Sequence, residues 1–288
     1  MNFLLAALVA RQCLTLNPQN DNEFDSSLLS APVLFLLVLR AMVAGLAEDK
    51  LKDLNSSPRS TTEALIRAES QNILLSSRLS AYRKESGYRR PEFAKAYDEL
   101  VERLNMIDQA RVGPGLGELM PEFNLPDENG QLISLASLLR FGPVVISINR
   151  GHWCPYCKLE LRSLAAIHGE IAQLGAGVIS IMPDGAQFTG NYVAQNDLPF
   201  PVLSDIDLGY SLLLGLIFWV GPELQLLYKE AGVELEKYHG NQGYFLPMAA
   251  KFIVGCDGRV KARQVNIEFR ERMEPQALIA TLRRLRIG

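Results

Sequence analysis

The chain has 288 residues, of which 48% are hydrophobic and 21% are charged, and its formal net charge at pH 7 is -3. This length permits one large or two modest domains with a sizeable core. A negative net charge without a basic stripe argues against a general nucleic-acid binder, so we expect no nucleic-acid partner.

Cysteine usage and two apolar stretches bear on the compartment. Four cysteines, at positions 13, 154, 157 and 256, are too few and too spread for the disulfide framework of a small secreted protein, so a reducing, cytoplasmic setting fits better. Residues 2–10 lack the positive start and cleavage site of a secretory signal. Residues 31–47 fall short of the roughly 20 residues that a spanning helix needs. We expect a buried or subunit-interface helix there, and a peripheral membrane contact is the less favoured alternative.

Residues 1–112 predict a helical N-terminal extension. Apolar residues at helical spacing predict one helix from Thr62 through Tyr82 and a second from Pro91 to Leu104, packed antiparallel around Gly87 and Tyr88. Residues 112–117 contain three glycines and a proline. No strand precedes this segment and no helix with Lys-Ser/Thr follows it, which favours a linker over a phosphate-binding loop. We therefore place a second domain at residues 113–288.

Strands and helices alternate in this second domain. The patterns predict a hairpin around Asn129-Gly130, strands at 143–149, 177–182 and 201–203, helices at 157–174, 188–195 and 207–216, a hairpin of 250–254 with 259–265, and a terminal helix from Pro275. Apolar strands joined by a helix form a right-handed βαβ unit with parallel strands. Residues 217–246 show no clear pattern of helices or strands, and their several aromatic residues and glycines predict an insertion on the domain surface near the site.

The candidate reactive site is the segment Arg150-Gly151-His152-Trp153-Cys154-Pro155-Tyr156-Cys157, which follows a predicted strand and precedes a predicted helix. A helix N-terminus has unpaired backbone N–H groups and a partial positive charge, which favour a sulfur there as thiolate. Because the thiolate is the nucleophilic form, Cys154 and Cys157 are the candidate redox pair.

This motif within a βαβ unit, followed by a hairpin and a final helix, resembles the thioredoxin fold, an α/β fold with a mixed sheet and flanking helices. Over about residues 60–288 the chain is similar to bacterial peroxiredoxin-like proteins of the alkyl hydroperoxide reductase/thiol-specific antioxidant (AhpC/TSA) family. The matching segments are PEFNLPD at 121–127, RGHWCPYCKLEL at 150–161, FPVLSD at 200–205, 246–254 and RMEP at 272–275.

The resemblance implies a cytoplasmic thiol-dependent oxidoreductase that reduces a peroxide or a disulfide through Cys154 and Cys157, with Arg150 and Trp153 framing the pair. It implies no cofactor and a thioredoxin or glutathione-type reductant, and it is compatible with a homodimer. By analogy with thioredoxins and glutaredoxins, Cys154 attacks and Cys157 resolves. By analogy with peroxiredoxins, Cys157 is the peroxidatic sulfur. Ala249 departs from the family pattern, which has a cis-proline opposite the pair.

An alternative interpretation is a non-catalytic redox sensor or assembly protein in which the N-terminal helices mediate association and the cysteine pair acts only as a switch. The long helical extension and Ala249 favour this alternative, whereas the intact Cys-Pro-Tyr-Cys motif favours the enzyme.

Other candidate residues have simpler expected roles. The single CxxC motif has no second pair of ligands among His152, His168, His239 and Cys256, so we expect no zinc site. His152 is a candidate proton shuttle. Glu160, in the first helical turn, is expected to interact with the helix dipole. Cys13 and Cys256 are expected to be spare thiols, although either could resolve a sulfenic acid.

Overall fold

The computed structural model describes residues 60–106 and 112–287. Both apolar N-terminal stretches and Cys13 lie outside these residues. Within the described ranges, no helix is long and apolar enough to cross a membrane.

A five-stranded mixed sheet lies at the centre of the fold, in the order β5-β4-β3-β8-β9. The strands are β3 (Val144–Ile148), β4 (Gly177–Met182), β5 (Val202–Ser204), β8 (Ala250–Val254) and β9 (Val260–Val265). Strands β3, β4 and β5 are parallel, whereas β8 is antiparallel to β3 and to β9. Every residue of β3 and β8 is buried, which explains their nearly continuous apolar sequences. The predicted strands and the hairpin around residues 255–258 are confirmed.

Helices cover both faces of the sheet. They are α4 (Leu135–Leu139), α5 (Pro155–Gln173), α6 (Ala186–Asn196), α7 (Gly209–Leu213) and α10 (Pro275–Ile287), and a separate hairpin consists of β1 (Asn124–Pro126) and β2 (Leu132–Ser134). On one face, Leu161 and Leu164 of α5 share a buried cluster with Leu278 and Leu282 of α10. The mixed sheet with helices on both faces is the thioredoxin-like fold that the sequence predicts.

The described part of the N-terminal extension forms three helices, α1 (Thr61–Ser70), α2 (Leu75–Arg89) and α3 (Pro91–Leu104). The prediction of one helix from Thr62 through Tyr82 is therefore wrong. The carboxylate of Glu274 accepts the backbone N–H groups of Leu75 and Ser76 at 3.1 and 2.7 Å, and this distant cap begins a new helix. Helix α2 also continues through Gly87, so the chain turns at Arg90.

The extension helices share one hydrophobic core with the redox motif. Leu79, Tyr82 and Leu100 are each at most 7% exposed and belong to the buried cluster that contains Cys154 and Cys157. Residues 107–111, next to the expected domain boundary, lie outside the described residues. The division into 1–112 and 113–288 therefore stays a prediction.

Residues 217–246, for which the sequence pattern gives no helices or strands, contain two of each. Strand β6 (Ile217–Trp219) pairs antiparallel with β7 (Phe245–Pro247), and α8 (Pro222–Glu230) and α9 (Leu235–His239) lie between them. Helix α8 is only nine residues long, and its buried residues, Leu224 and Tyr228, are a single i,i+4 pair. One such pair is too short a repeat to reveal helical periodicity.

We expect Glu274→Gln to lower the free energy of unfolding by about 1 kcal/mol, because the helix cap from Glu274 to Leu75 and Ser76 is weakened. Urea denaturation of the full chain measures the change. Glu230→Gln is the control, since Glu230 is exposed and carries the same charge. Equal stability of the two variants would contradict a capping role for Glu274.

Candidate active site

Cys154 and Cys157 lie at the start of α5, directly after the carboxyl end of β3. Cys154 is the N-cap residue with an extended backbone, and Pro155 occupies the first turn. Both side chains are 1% exposed, and both thiols are free. The two side chains interact electrostatically, and the interaction favours the thiolate form of Cys154 over that of Cys157. The geometry therefore places two reduced sulfurs at a helix N-terminus, where the surrounding residues bury them.

The two sulfurs differ in acidity. Burial acts to raise the pKa of Cys154, but the hydrogen bond from Cys157 and the positive charges of Arg150 and Arg272 together lower it to about 6. Burial raises the pKa of Cys157, and the hydrogen bond that it donates to Cys154 raises it further. At neutral pH the pair therefore holds one thiolate, mainly on Cys154, and one thiol on Cys157.

Arg150 is a buried cation without a carboxylate partner among the residues that the structure describes. Its side chain is 1% exposed, and its guanidinium carbon lies 3.9 Å from the ring centre of Phe269, 5.3 Å from that of Trp153 and 5.5 Å from that of Tyr97. Its Nη2 atom donates a hydrogen bond of 2.5 Å to the hydroxyl of Tyr228, and its Nε atom has no partner. Aromatic faces and a hydroxyl offset its desolvation but do not neutralise its charge.

A second buried group of charges surrounds Glu160. Its carboxylate lies 2.8 Å from Nζ of Lys251 and 2.8 Å from Nε of Arg272, and Nη2 of Arg272 lies 3.8 Å from Sγ of Cys157. Glu160 is 1% exposed, and α5 begins at Pro155 with no acidic residue in its first turn, so the expected role of Glu160 at the helix dipole is wrong. Its carboxylate lies inside the fold, where it holds Arg272 beside the sulfur of Cys157.

Sequence reasoning did not assign functional roles to Lys251, Arg272 or Tyr228. One signal was available for Lys251, because a lysine within the apolar strand Ala250–Val254 is buried and needs a partner of opposite charge. The contacts of Arg272 and Tyr228 depend on how distant segments pack, and nothing in their local sequence indicates them. The predicted location of residues 217–246 near the site is confirmed by the contact of Tyr228 with Arg150.

His152 contacts a buried carboxylate. Its backbone N–H donates to Asp184 Oδ2 at 2.8 Å, and its Nδ1 lies 3.2 Å from Asp184 Oδ1. His239 Nε2 lies 3.9 Å from the same oxygen, and burial lowers the pKa of His239. Gly151 has φ 144°, and a Cβ there would collide with the indole of Trp153. A glycine and an aspartate thus fix the loop that leads into Cys154.

Strand register locates the remaining candidates. Ala250 pairs with Ile148 and Val254 pairs with Val144. Ala249 therefore lies next to the carboxyl end of β3, which is also the end of the strand that leads to Cys154. The described residues contain no cis peptide bond. Cys256 is exposed and lies near the opposite end of the strands. It is therefore too far away to form a disulfide with Cys154 or Cys157 of the same chain. No group of three or more potential metal ligands occurs within the described residues.

We expect Glu160→Gln to destabilise the reduced protein by about 3 kcal/mol, because it leaves Lys251 and Arg272 buried without a counter-charge. Lys251→Met is the matched comparison, since it retains one balanced pair, Glu160 with Arg272, and should cost much less. Urea denaturation under reducing conditions measures both. If Lys251→Met proved the more damaging change, this charge balance would be wrong.

The chain is similar to known proteins over its central part. The model of the AhpC/TSA family matches residues 116–263. A putative peroxiredoxin bcp of Helicobacter pylori is 33% identical over 92 residues, which are 32% of this chain and 60% of that protein. A putative peroxiredoxin of Mycobacterium tuberculosis is 28% identical over 89 residues, 31% of this chain and 58% of its own length. The chain thus spans less than two thirds of the relatives that it matches.

The chain is also similar to solved protein structures. Peroxidoxin BcpB from Mycobacterium tuberculosis is 21% identical, with a TM-score of 0.47 over 59% of this chain and 97% of that chain. A peroxiredoxin 6 of Arenicola marina is 17% identical, with a TM-score of 0.49 over 59% of this chain and 73% of that chain. Because the family model covers 148 of the 288 residues, the chain belongs to the AhpC/TSA family.

Proposed function

We propose that the protein is a thiol peroxidase in which Cys154 attacks the peroxide and Cys157 resolves the product. The Cys154 thiolate attacks one peroxide oxygen and the O–O bond breaks, so that Cys154 becomes a sulfenic acid. The alkoxide or hydroxide that is released takes up a proton from solvent and leaves as the alcohol or water. The Cys157 thiol then attacks the Cys154 sulfur, water leaves, and a disulfide joins the two residues. An external thiol reductant restores the dithiol.

The observation that carries this proposal is the buried cation Arg150, which has no carboxylate among its described neighbours. The charge of Arg272, in contrast, is already countered by Glu160 at 2.8 Å. A thiolate on Cys154 supplies the negative charge that Arg150 lacks. This favours Cys154 over Cys157 as the attacking sulfur. Arg272, which lies beside Cys157, would then stabilise negative charge on Cys157 when that sulfur reacts.

Further features support an enzyme over a non-catalytic sensor. The pKa of about 6 keeps Cys154 mainly ionised at neutral pH, and Trp153 packs against Tyr228 with ring centres 5.0 Å apart, which orients the loop before the thiolate. The free state of Cys154, Cys157 and Cys256 is compatible with a reducing, cytoplasmic compartment. The homodimer stays a prediction.

We expect Cys154→Ser to reduce the rate of peroxide consumption about a hundredfold or more, because the nucleophile is lost. Cys157→Ser should still consume one equivalent of peroxide and leave a sulfenic acid on Cys154, which dimedone labelling and mass spectrometry detect. Cys256→Ser is the control and should retain full activity. A sulfenic acid on Cys157 in the Cys154→Ser variant, with activity retained, would assign the attack to Cys157 instead.

The alkylation rate of Cys154 in the reduced protein should rise with pH and reach half its maximum near pH 6, because only the thiolate reacts and the pKa is about 6. Arg150→Met should move this midpoint upward by about one pH unit or more, since a nearby positive charge is lost. Peptide mass spectrometry measures the rate at Cys154, and Arg140→Met, a change of an exposed arginine, is the control. An unchanged midpoint in Arg150→Met would refute the role of Arg150.

A further inference from the structure

The backbone opposite the redox pair is not accessible to a protein partner. Strand β7 pairs with β6, and the N–H of Met248 donates to the carbonyl oxygen of Leu216 at 2.5 Å. Leu246, Met248 and Ala249 are at most 4% exposed, and Pro247 has no N–H to donate. Proteins that bind an extended peptide commonly add it to a free strand edge. At the segment facing Cys154, no free edge is exposed.

Both sulfurs are also hidden from a large partner, since Cys154 and Cys157 are each 1% exposed. A protein thiol must bring its own sulfur into contact with the disulfide, so it would have to displace the extension helices that cover the motif. A small molecule needs far less movement.

A cavity of about 760 Å³ lies between the extension helices and the redox motif. Its wall includes Trp153, Pro155 and Tyr156, the residues on both sides of Cys154, together with Tyr82 of α2 and Phe93 of α3. Sites for small molecules occupy about 300–1,000 Å³, so this volume admits an organic molecule much larger than hydrogen peroxide. The lining residues from α2 and α3 lie outside the segment that the family model matches, so the extension supplies one side of this cavity.

Positive charges outnumber negative ones in the lining of the cavity, which includes Arg83, Lys84, Arg90, Arg270 and Asp98. Each of the three arginines has a carboxylate partner at 2.7–3.3 Å. The exposed Lys84 has no ion-pair partner within the described ranges. An uncompensated cation at an apolar, aromatic cavity complements an organic anion.

From these features we infer that the electron donor to the oxidised pair is a low-molecular-weight thiol that carries a carboxylate and enters through this cavity, and not a thioredoxin-like protein. This inference rests on the proposed redox function of Cys154 and Cys157. The donor thiolate attacks a sulfur of the Cys154–Cys157 disulfide and forms a mixed disulfide. A second donor thiolate then attacks the donor's sulfur, which releases the donor disulfide and the reduced pair after proton uptake.

The test follows reduction of the full chain after oxidation of the pair by diamide, so that no peroxide reaction is involved. The donors are 3-mercaptopropionate, the neutral 2-mercaptoethanol, and a bacterial thioredoxin with its reductase and NADPH. Maleimide labelling and intact mass report the fraction reduced, and rates are compared per donor thiolate, with allowance for the nucleophilicity of each thiol.

We expect 3-mercaptopropionate to react at least about threefold faster than 2-mercaptoethanol, and thioredoxin to react more slowly than 3-mercaptopropionate at equal concentration. Lys84→Gln should remove most of the advantage of the anionic thiol. Arg140→Gln, which removes an exposed charge outside the cavity, should preserve it.

Faster reduction by thioredoxin, a smaller preference for the anionic thiol, or an unchanged preference in Lys84→Gln would each overturn the inference. Failure of diamide to oxidise the pair would overturn it as well. The proposed peroxidase activity is judged separately, by peroxide consumption, so a failure of one leaves the other measurable.

Discussion

The site depends on an excess of buried positive charge around two thiols. Arg150 is surrounded by aromatic rings and a hydroxyl, and the single carboxylate of Glu160 is shared by Lys251 and Arg272. Charges in a protein interior are costly unless they are countered. A thiolate is the counter-charge that these cations lack. Burial and a low pKa normally oppose each other for a cysteine. For Cys154 they occur together because the hydrogen bond from Cys157 and the charges of Arg150 and Arg272 jointly outweigh the loss of solvent.

Several distant segments are needed to assemble this environment. The rings around Arg150 come from Tyr97 on α3, Trp153 in the motif and Phe269 after β9, and Tyr228 of α8 supplies the hydroxyl. Tyr97 and Phe269 lie outside the segment that the family model matches. The family core therefore supplies the sulfurs and Arg150, while flanking segments complete the low-dielectric cover that makes electrostatic effects strong.

The sequence predicted the central sheet well because its strands are long apolar runs separated by turn residues, as at Val144–Ile148 and Gly177–Met182. It also located the cysteine pair at a strand-to-helix junction. Prediction failed where a distant group decides the local structure, as with Glu274 at the start of α2. The inward orientation of Glu160 was likewise missed, because the sequence placed it in the first helical turn, where an acidic residue would interact with the dipole, whereas the helix already begins at Pro155. Its two buried cationic partners, Lys251 and Arg272, lie about a hundred residues away.

The segment before α10 joins two regions that are distant in sequence. Arg272 contacts Glu160 and Cys157, and Glu274, two residues later, holds the first backbone N–H groups of α2. Residues 272–274 thus connect the start of α2 to the sulfur of Cys157. A displacement of α2 would therefore act on the segment that holds Arg272 beside Cys157, so the position of this helix and the positive charge next to that sulfur depend on each other.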